Sequence, residues 1–523
     1  MRAMTMALSG AVLVLAAGTA GQGQAPPAAD PVAQAAEALG GRARILALRT
    51  LVVEGYGQAA QQNGGGNVTS SPDAPQKWQN LNGYTRTVDL VNGRMRVRQR
   101  QSGDFVFATL RNMRGALSVQ GLDGDVAFNV NAEGAATRAS AAIARTRRME
   151  MHAHPIVAVR AALDPKSRVG NRRASAGLRL VDVTITQGDT FTLAVDAASG
   201  LPAWVSWVGG DTNLGDVTYR AHFTAYEPVG GVRMPMGLNT TIDFRNVVQW
   251  KLHVDRHAVD VPIDDLAAPA AVRSAAAPAP QPPKVQVTQL AKGIWYLAGA
   301  GNSTLFEFDD HLTLFEAYGS EANARAIIAA ARSLVPGKPL RNLIVSHHHF
   351  DHTGGFRAAV AEGLTIIAAT GNERFLREIA ARPAVRFPDA LGPKPRPLQI
   401  RTVDDHLKIK DGSMEIDIYR VIANSHMADA LMVHVPGERL LVEGDLFDVN
   451  WEGYWWGTSY EDNIRHRKLR VDRDVPVHGR VLPFAEVQQH IARQIKNAEA
   501  LCAAAEAADL PMRGCPVKLT VDR

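Results

Sequence analysis

The 523-residue chain has only two cysteines. That scarcity excludes a disulfide-built scaffold and a four-cysteine zinc module. An excess of one charge is lacking too: 57 basic residues against 52 acidic ones leave a formal charge of +5. A nucleic-acid surface would need a concentrated basic face, which this balance does not supply. After the first twenty residues no apolar run is long enough to span a bilayer. Hydrophobic residues at 46% and charged residues at 21% are ordinary globular usage, excluding a wholly disordered, fibrous or polytopic chain. Dividing the length by roughly 150 residues per domain predicts about three units. What the chain does have is histidine, at sixteen positions.

The N-terminus carries Arg2, an apolar stretch from Met6 to Ala17, and then Gly18-Thr19-Ala20. Such a pattern predicts a cleaved signal peptide over residues 1–20, because the apolar core falls short of the roughly 20 residues of a spanning helix. The mature protein is then expected in the periplasm or secreted, with no transmembrane segment. In an oxidising compartment Cys502 and Cys515 could pair.

Residues 267–283 hold eight alanines and five prolines and read as a semi-rigid linker between two domains, 31–266 and 284–523. The first domain opens with a predicted helix at 31–39, stopped by Gly40-Gly41, and a short helical or strand segment at 45–53. Beyond it the pattern has period two. Met95 and Val97 alternate with Arg94, Arg96, Arg98 and Arg100; Tyr219, Ala221 and Phe223 alternate with polar residues; so do Trp250, Leu252 and Val254. These are strands with one wet face, and Ala198-Ser199-Gly200, Gly209-Gly210 and Gly230-Gly231 read as turns between them. The expectation is a mainly antiparallel, half-barrel-like sheet. The arginine ladder reads as a solvated face, and His152 and His154 as structural or surface residues. In the Leu39-Gly40-Gly41 opening and the strands ending at Arg233-Met234-Pro235, this half resembles the curved-sheet lipid and lipoprotein carriers of the bacterial periplasm.

The second half alternates strand-like and helical runs, a layered α/β pattern. Strands are predicted at 294–298, 305–308, 312–315, 343–345, 364–368, 414–419, 430–435 and 440–442. Helices are predicted at 321–334, 373–380, 461–469 and 484–507. Directly after the 343–345 strand comes Ser346-His347-His348-His349-Phe350-Asp351-His352-Thr353-Gly354-Gly355. A chain leaving a strand extended points residues two apart to one side, so His347 and His349 can share a metal ion. After the next turn Asp351 and His352 face a second ion, while Gly354 and Gly355 allow a tight backbone path. His348 points away as a bystander.

With this spacing, residues from about 284 to 490 resemble the metallo-β-lactamase-fold hydrolase superfamily. The resemblance implies an αββα sandwich with the site at one edge of its two sheets, and further ligands in family order: His426, Asp445 and His478. One ion would take His347, His349 and His426, the other Asp351, His352 and His478, and Asp445 would bridge. Glu316 stands where most members have aspartate, Ser425 and Met427 flank His426 unusually, and Asp445 differs from the cysteine or serine of the true β-lactamases. The glyoxalase II and lactonase-like branches keep that carboxylate.

The implied cofactor is a pair of divalent metal ions, zinc or alternatively iron. The implied enzyme is a dinuclear hydrolase whose metal-bridging hydroxide attacks a small-molecule ester, thioester, lactone, amide or phosphoryl centre. Asp351 would be its catalytic residue, orienting the nucleophile and carrying its proton. Two other readings stay open: an iron-dependent oxidoreductase of the same fold, and an apolar-ligand binding protein with a vestigial hydrolase domain. The aromatic stretch Trp451 to Gly457 reads either as a pocket wall or as packing between domains.

Overall fold

The computed structural model describes residues 30–60, 76–103, 116–424, 426–450 and 457–509. The leader, Cys515, Ser425 and residues 451–456 of the aromatic stretch lie outside these. Among the described residues no helix is long and apolar enough to cross a membrane. Cys502, in the final helix, is not a free thiol.

Thirteen strands of the first half form one antiparallel sheet. From Thr50–Ala60 the strands step outward by hairpins to Ala136–Arg138, and the chain returns from Arg168–Ser175 to Val248–Val259, which pairs back onto Thr50–Ala60. The period-two pattern is realised: Met95, Ala221, Leu252 and Val254 enter one apolar core. On the other face Arg94 pairs with Asp123 at 2.9 Å and Arg96 donates to the Asp265 carbonyl, while Arg98 and Arg100 are exposed. The expected 31–39 helix is present, and the 45–53 segment divides into helix Arg42–Ala47 and the first strand.

Helices Ala141–His152 and Pro155–Leu163 cover the apolar face. Neither histidine here is a surface residue. His152 is buried with Nδ1 2.7 Å from the Arg148 carbonyl, and His154 is buried edge-on to His257. Gly209 and Gly210 are not a turn but lie inside strand Pro202–Asp211. A side chain at Gly210 would strike Phe387 of the second half, so the glycine serves close packing. The Ala/Pro segment is partly docked, since Ala268 and, in the short helix Ala270–Ser274, Val272 pack on Phe128.

The second half is a mixed α/β sandwich. A seven-stranded sheet and a six-stranded sheet face each other across a core that includes Phe306, Phe315, Ile344, Ile418, Val433 and Val442. Helices Glu321–Leu334, Phe356–Ala361 and Glu373–Ala380 cover the first sheet, and Gly457–His466 and Phe484–Ala507 the second. The predicted helices 321–334, 373–380 and 484–507 are present at those bounds; the one predicted at 461–469 starts four residues earlier. Ser320 caps the first by accepting from the Asn323 N–H.

The two halves meet along a polar and apolar seam. Asp216 accepts hydrogen bonds from the backbone N–H groups of Val385, Arg386 and Phe387 at 2.8 to 2.9 Å. Arg382 bonds the Leu214 carbonyl and Asp243, Arg245 pairs with Glu378, and Phe244 packs edge-on to Phe375.

Candidate metal centre

Four chain segments deliver the site, each leaving a strand at the same edge of the sandwich. Strand Leu340–Ile344 runs into Ser346 to His349 and the one-turn helix Phe350–Thr353. The turn brings Asp351 and His352 back towards His347, whose ring centroid is 4.0 Å from that of His352. Gly354 and Gly355 press against the carbonyls of Gly319 and Ala317 so closely that a Cβ would not fit. Their φ angles are −60° and −98°, so close approach, not left-handed geometry, requires glycine there. His426 lies between strands Glu415–Arg420 and Leu431–Val435, Asp445 follows Leu440–Glu443, and His478 follows Arg473–Pro476.

All seven residues converge. His347, His349, His426 and Asp445 offer ligand atoms within 4.8 Å of one another, and so do Asp351, His352 and His478. The Asp445 carboxylate divides between the groups. Its Oδ2 is 2.9 Å from His426 Nε2, 3.6 Å from His347 Nε2 and 3.8 Å from His349 Nδ1. Its Oδ1 is 3.0 Å from His352 Nε2 and 3.1 Å from His478 Nε2. Asp351 Oδ2 is 3.7 Å from His352 Nε2 and 3.6 Å from His478 Nε2.

This donor set fits divalent cations. His347 Nε2 is fully buried without a hydrogen-bond partner, a costly state for an imidazole nitrogen unless a ligand completes it. The carboxylates also demand positive charge. Burial works against a charged His352, but Asp445, Asp351 and Glu316 outweigh it and raise its pKa well above the usual value. His478, likewise opposed by burial, is raised to about 9 by Asp351 and Asp445. His347 moves the other way, to about 4, through burial and then the neighbouring His352. Burial would push Asp445 up, yet the surrounding histidines hold it well below the carboxylate range.

The supporting contacts set ring orientation. Ser346 Oγ is 2.8 Å from His347 Nδ1, which leaves Nε2 aimed at the centre. Glu316 is fully buried: Oε1 accepts the Ser346 N–H at 2.6 Å and Oε2 sits 3.5 Å from His352 Nδ1. His348 belongs to neither donor group and packs edge-on to Phe375. Tyr318, not singled out from the sequence, closes one side. Its hydroxyl donates to Asp351 Oδ2 at 3.2 Å, and its ring stands edge-on to His352 and His478. The sequence signal available for it was its place in the loop after strand Leu312–Phe315, two residues beyond Glu316.

Residues 296–456 match the metallo-beta-lactamase superfamily model; His478 falls beyond the matched segment, and its convergence on the site rests on the tertiary structure. Solved structures to which the chain is similar include DIM-1 metallo-beta-lactamase, at 16% identity, a TM-score of 0.33, and coverage of 41% of this chain and 98% of that one. A metallo-beta-lactamase from Pontibacter korlensis gives 12% identity, a TM-score of 0.31, and 40% and 99% coverage. FIM-1 from Pseudomonas aeruginosa, in a mono-zinc form, gives 16%, a TM-score of 0.32, and 41% and 96%. No curated protein matches the sequence.

Proposed function

From the metallo-beta-lactamase superfamily domain at 296–456, we propose that the chain is a hydrolase working with two divalent ions, of which zinc suits the histidine-rich donors. The observation that carries this reading is the division of Asp445, one carboxylate oxygen towards each donor group. A single structural ion would not need two facing sets.

When bound, such ions acidify water and polarise the oxygen of a scissile acyl or phosphoryl group. His347, His349 and His426 would hold one ion and Asp351, His352 and His478 the other, with Asp445 available to both. Of the seven side chains, Asp351 and His478 are the most exposed, at 26% and 15%, so substrate approaches from their side. Asp351 orients the attacking water and accepts its proton at the carboxylate. Tyr318 holds Asp351 in place through its hydroxyl and covers His352 and His478 with its ring. The substrate is a small ester, thioester, lactone, amide or phosphoryl compound. The leader-like segment 1–20 and the bonded state of Cys502 favour action outside the cytoplasm.

The test is metal analysis of the purified protein together with a hydrolysis screen over esters, thioesters, lactones, phosphodiesters and β-lactams. Two ions per chain are expected, with hydrolysis of one class that disappears in His349→Ala. Unchanged metal content and hydrolysis in that variant would sink the proposal. Bound iron with oxygen uptake and no hydrolysis would establish the oxidoreductase instead.

A further inference from the structure

The first half contains a cavity of about 540 Å³ between its sheet and helix Ala141–His152, within the size range of small-molecule sites. One part of its wall is aromatic and apolar: Trp207, Tyr219, Trp250, Met149 and Leu238, with Phe387 of the second half closing an end. Another is lined by glutamine side chains, among them Gln99, Gln101 and Gln120. Arg86 also lines it. Strand alternation puts this residue on the apolar face, between Tyr84 and Val88, where an aliphatic side chain would be ordinary.

Arg86 is 8% exposed. Its Nε donates to the Tyr84 hydroxyl at 2.8 Å and Nη1 to the Glu150 carbonyl at 3.2 Å, and the guanidinium lies 5.8 Å from the Trp250 ring centroid. Among the described residues no carboxylate comes within the 4.0 Å of an ion pair. Among the described residues the one carboxyl in the wall is that of Glu150, and desolvation raises its pKa against the opposing pull of Arg86 and Arg147. The other wall arginine, Arg145, is by contrast paired with Asp189 at 2.7 Å. A buried cation without a counter-charge is expensive, and an anionic ligand group would remove that cost.

We propose that this cavity binds an amphipathic organic anion, its acidic group on Arg86 and its apolar body against Trp207, Tyr219 and Trp250. Such a ligand combines an acid with a flat or extended apolar body, as in an aryl sulfonate or a fatty carboxylate. The site is separate from the metal centre, so either can fail without the other.

The full-length metal-loaded protein is titrated with the anionic probe 8-anilinonaphthalene-1-sulfonate and the neutral N-phenyl-1-naphthylamine, with bound probe counted by equilibrium dialysis. One sulfonate per chain is expected. Arg86→Gln should weaken it about tenfold, the scale of a lost charge-assisted contact, while changing the neutral probe by less than about twofold. Gln120→Trp, which adds bulk to the cavity wall two strands across from Arg86, should weaken both. Laurate should displace the sulfonate at concentrations where dodecanol does not. These last two measurements decide the matter if Arg86→Gln does not fold. The proposal is overturned if the wild type binds no sulfonate, if Arg86→Gln binds it as well as wild type, if Gln120→Trp leaves binding intact, or if dodecanol competes as well as laurate.

Discussion

Asn213, in the first half, reaches across to Thr353, in the metal-binding turn: its Nδ2 donates to Thr353 Oγ1 at 2.6 Å and to the Phe350 carbonyl at 3.0 Å. Thr353 Oγ1 in turn donates to the His349 carbonyl at 2.9 Å. Asn213 is itself fixed, because Asp211 Oδ1 accepts the backbone N–H groups of Asn213 and Leu214. A turn in the first half of the chain therefore braces the turn that carries four proposed ligands in the second.

Replacing Asn213 by Ala should accordingly weaken metal retention, by about tenfold, as for other groups that orient ligands from behind. Competition with a chromogenic chelator measures it. Metal affinity equal to wild type would show that the brace contributes nothing to the centre.

Glu316 tests the carboxylate behind His352. In Glu316→Gln one amide oxygen can still accept from the Ser346 N–H, so the fold should persist while the negative charge facing His352 Nδ1 is lost. Metal affinity should fall by about tenfold or more, with the melting temperature of the metal-free protein little changed. Glu316→Ala should lose both, since it also leaves a buried N–H unpaired, at a cost of about 1–3 kcal/mol. Thermal melts with and without metal separate the two variants.

Tyr318→Phe keeps the ring against His352 and His478 and removes the hydroxyl from Asp351. Two ions should remain bound, kcat should fall by about tenfold and KM should change little, because the lost contact positions the proton acceptor and not the substrate. A drop in metal content instead would make Tyr318 part of the metal scaffold.

A buried acid beneath the site gives a pH prediction. Asp474 accepts from the Tyr460 hydroxyl at 2.7 Å, and burial raises its carboxyl from the ordinary 3.8 to about 7. Glu443, fully buried nearby, is also raised, chiefly by desolvation and then by Asp474. Between these two values the folded state holds a proton that the unfolded state has released, so stability falls as pH rises from about 4 to about 7. The slope from one such group approaches ~1.4 kcal/mol per pH unit. Asp474→Asn should flatten that fall and melt higher than wild type at pH 8. A melting difference independent of pH would contradict it.

Much of the second half could be read locally. Helices 321–334, 373–380 and 484–507 announce themselves through apolar spacing and, in the first, through the Ser320 cap, both of which act within a few residues. Helix Ala141–His152 escaped notice because its buried face carries Arg147 and Arg148. Arg147 is satisfied by the carbonyls of Gly121 and Phe128, and Arg148 by Asp189 and Asp125. Those partners are distant in sequence, so hydropathy marks as wet a face that the fold makes dry. Gly209-Gly210 misled in the opposite sense: a pair that usually bends the chain is here a flat stretch against Phe387.

The sequence by itself determined the chemistry available to the metal centre. The His-x-His-x-Asp-His turn is a local object, its side-chain directions follow from a chain leaving a strand, and the superfamily resemblance brought in His426, Asp445 and His478. Tertiary structure decided how that chemistry is arranged. It set one oxygen of Asp445 towards each donor group, placed Tyr318 over Asp351, and braced the turn from Asn213, 140 residues away from Thr353. It also left the guanidinium of Arg86 in a cavity with no carboxylate partner among the described residues. The reason is physical: ligand type follows from side-chain identity, whereas distance, burial and counter-charge arise only when segments far apart in the chain pack together.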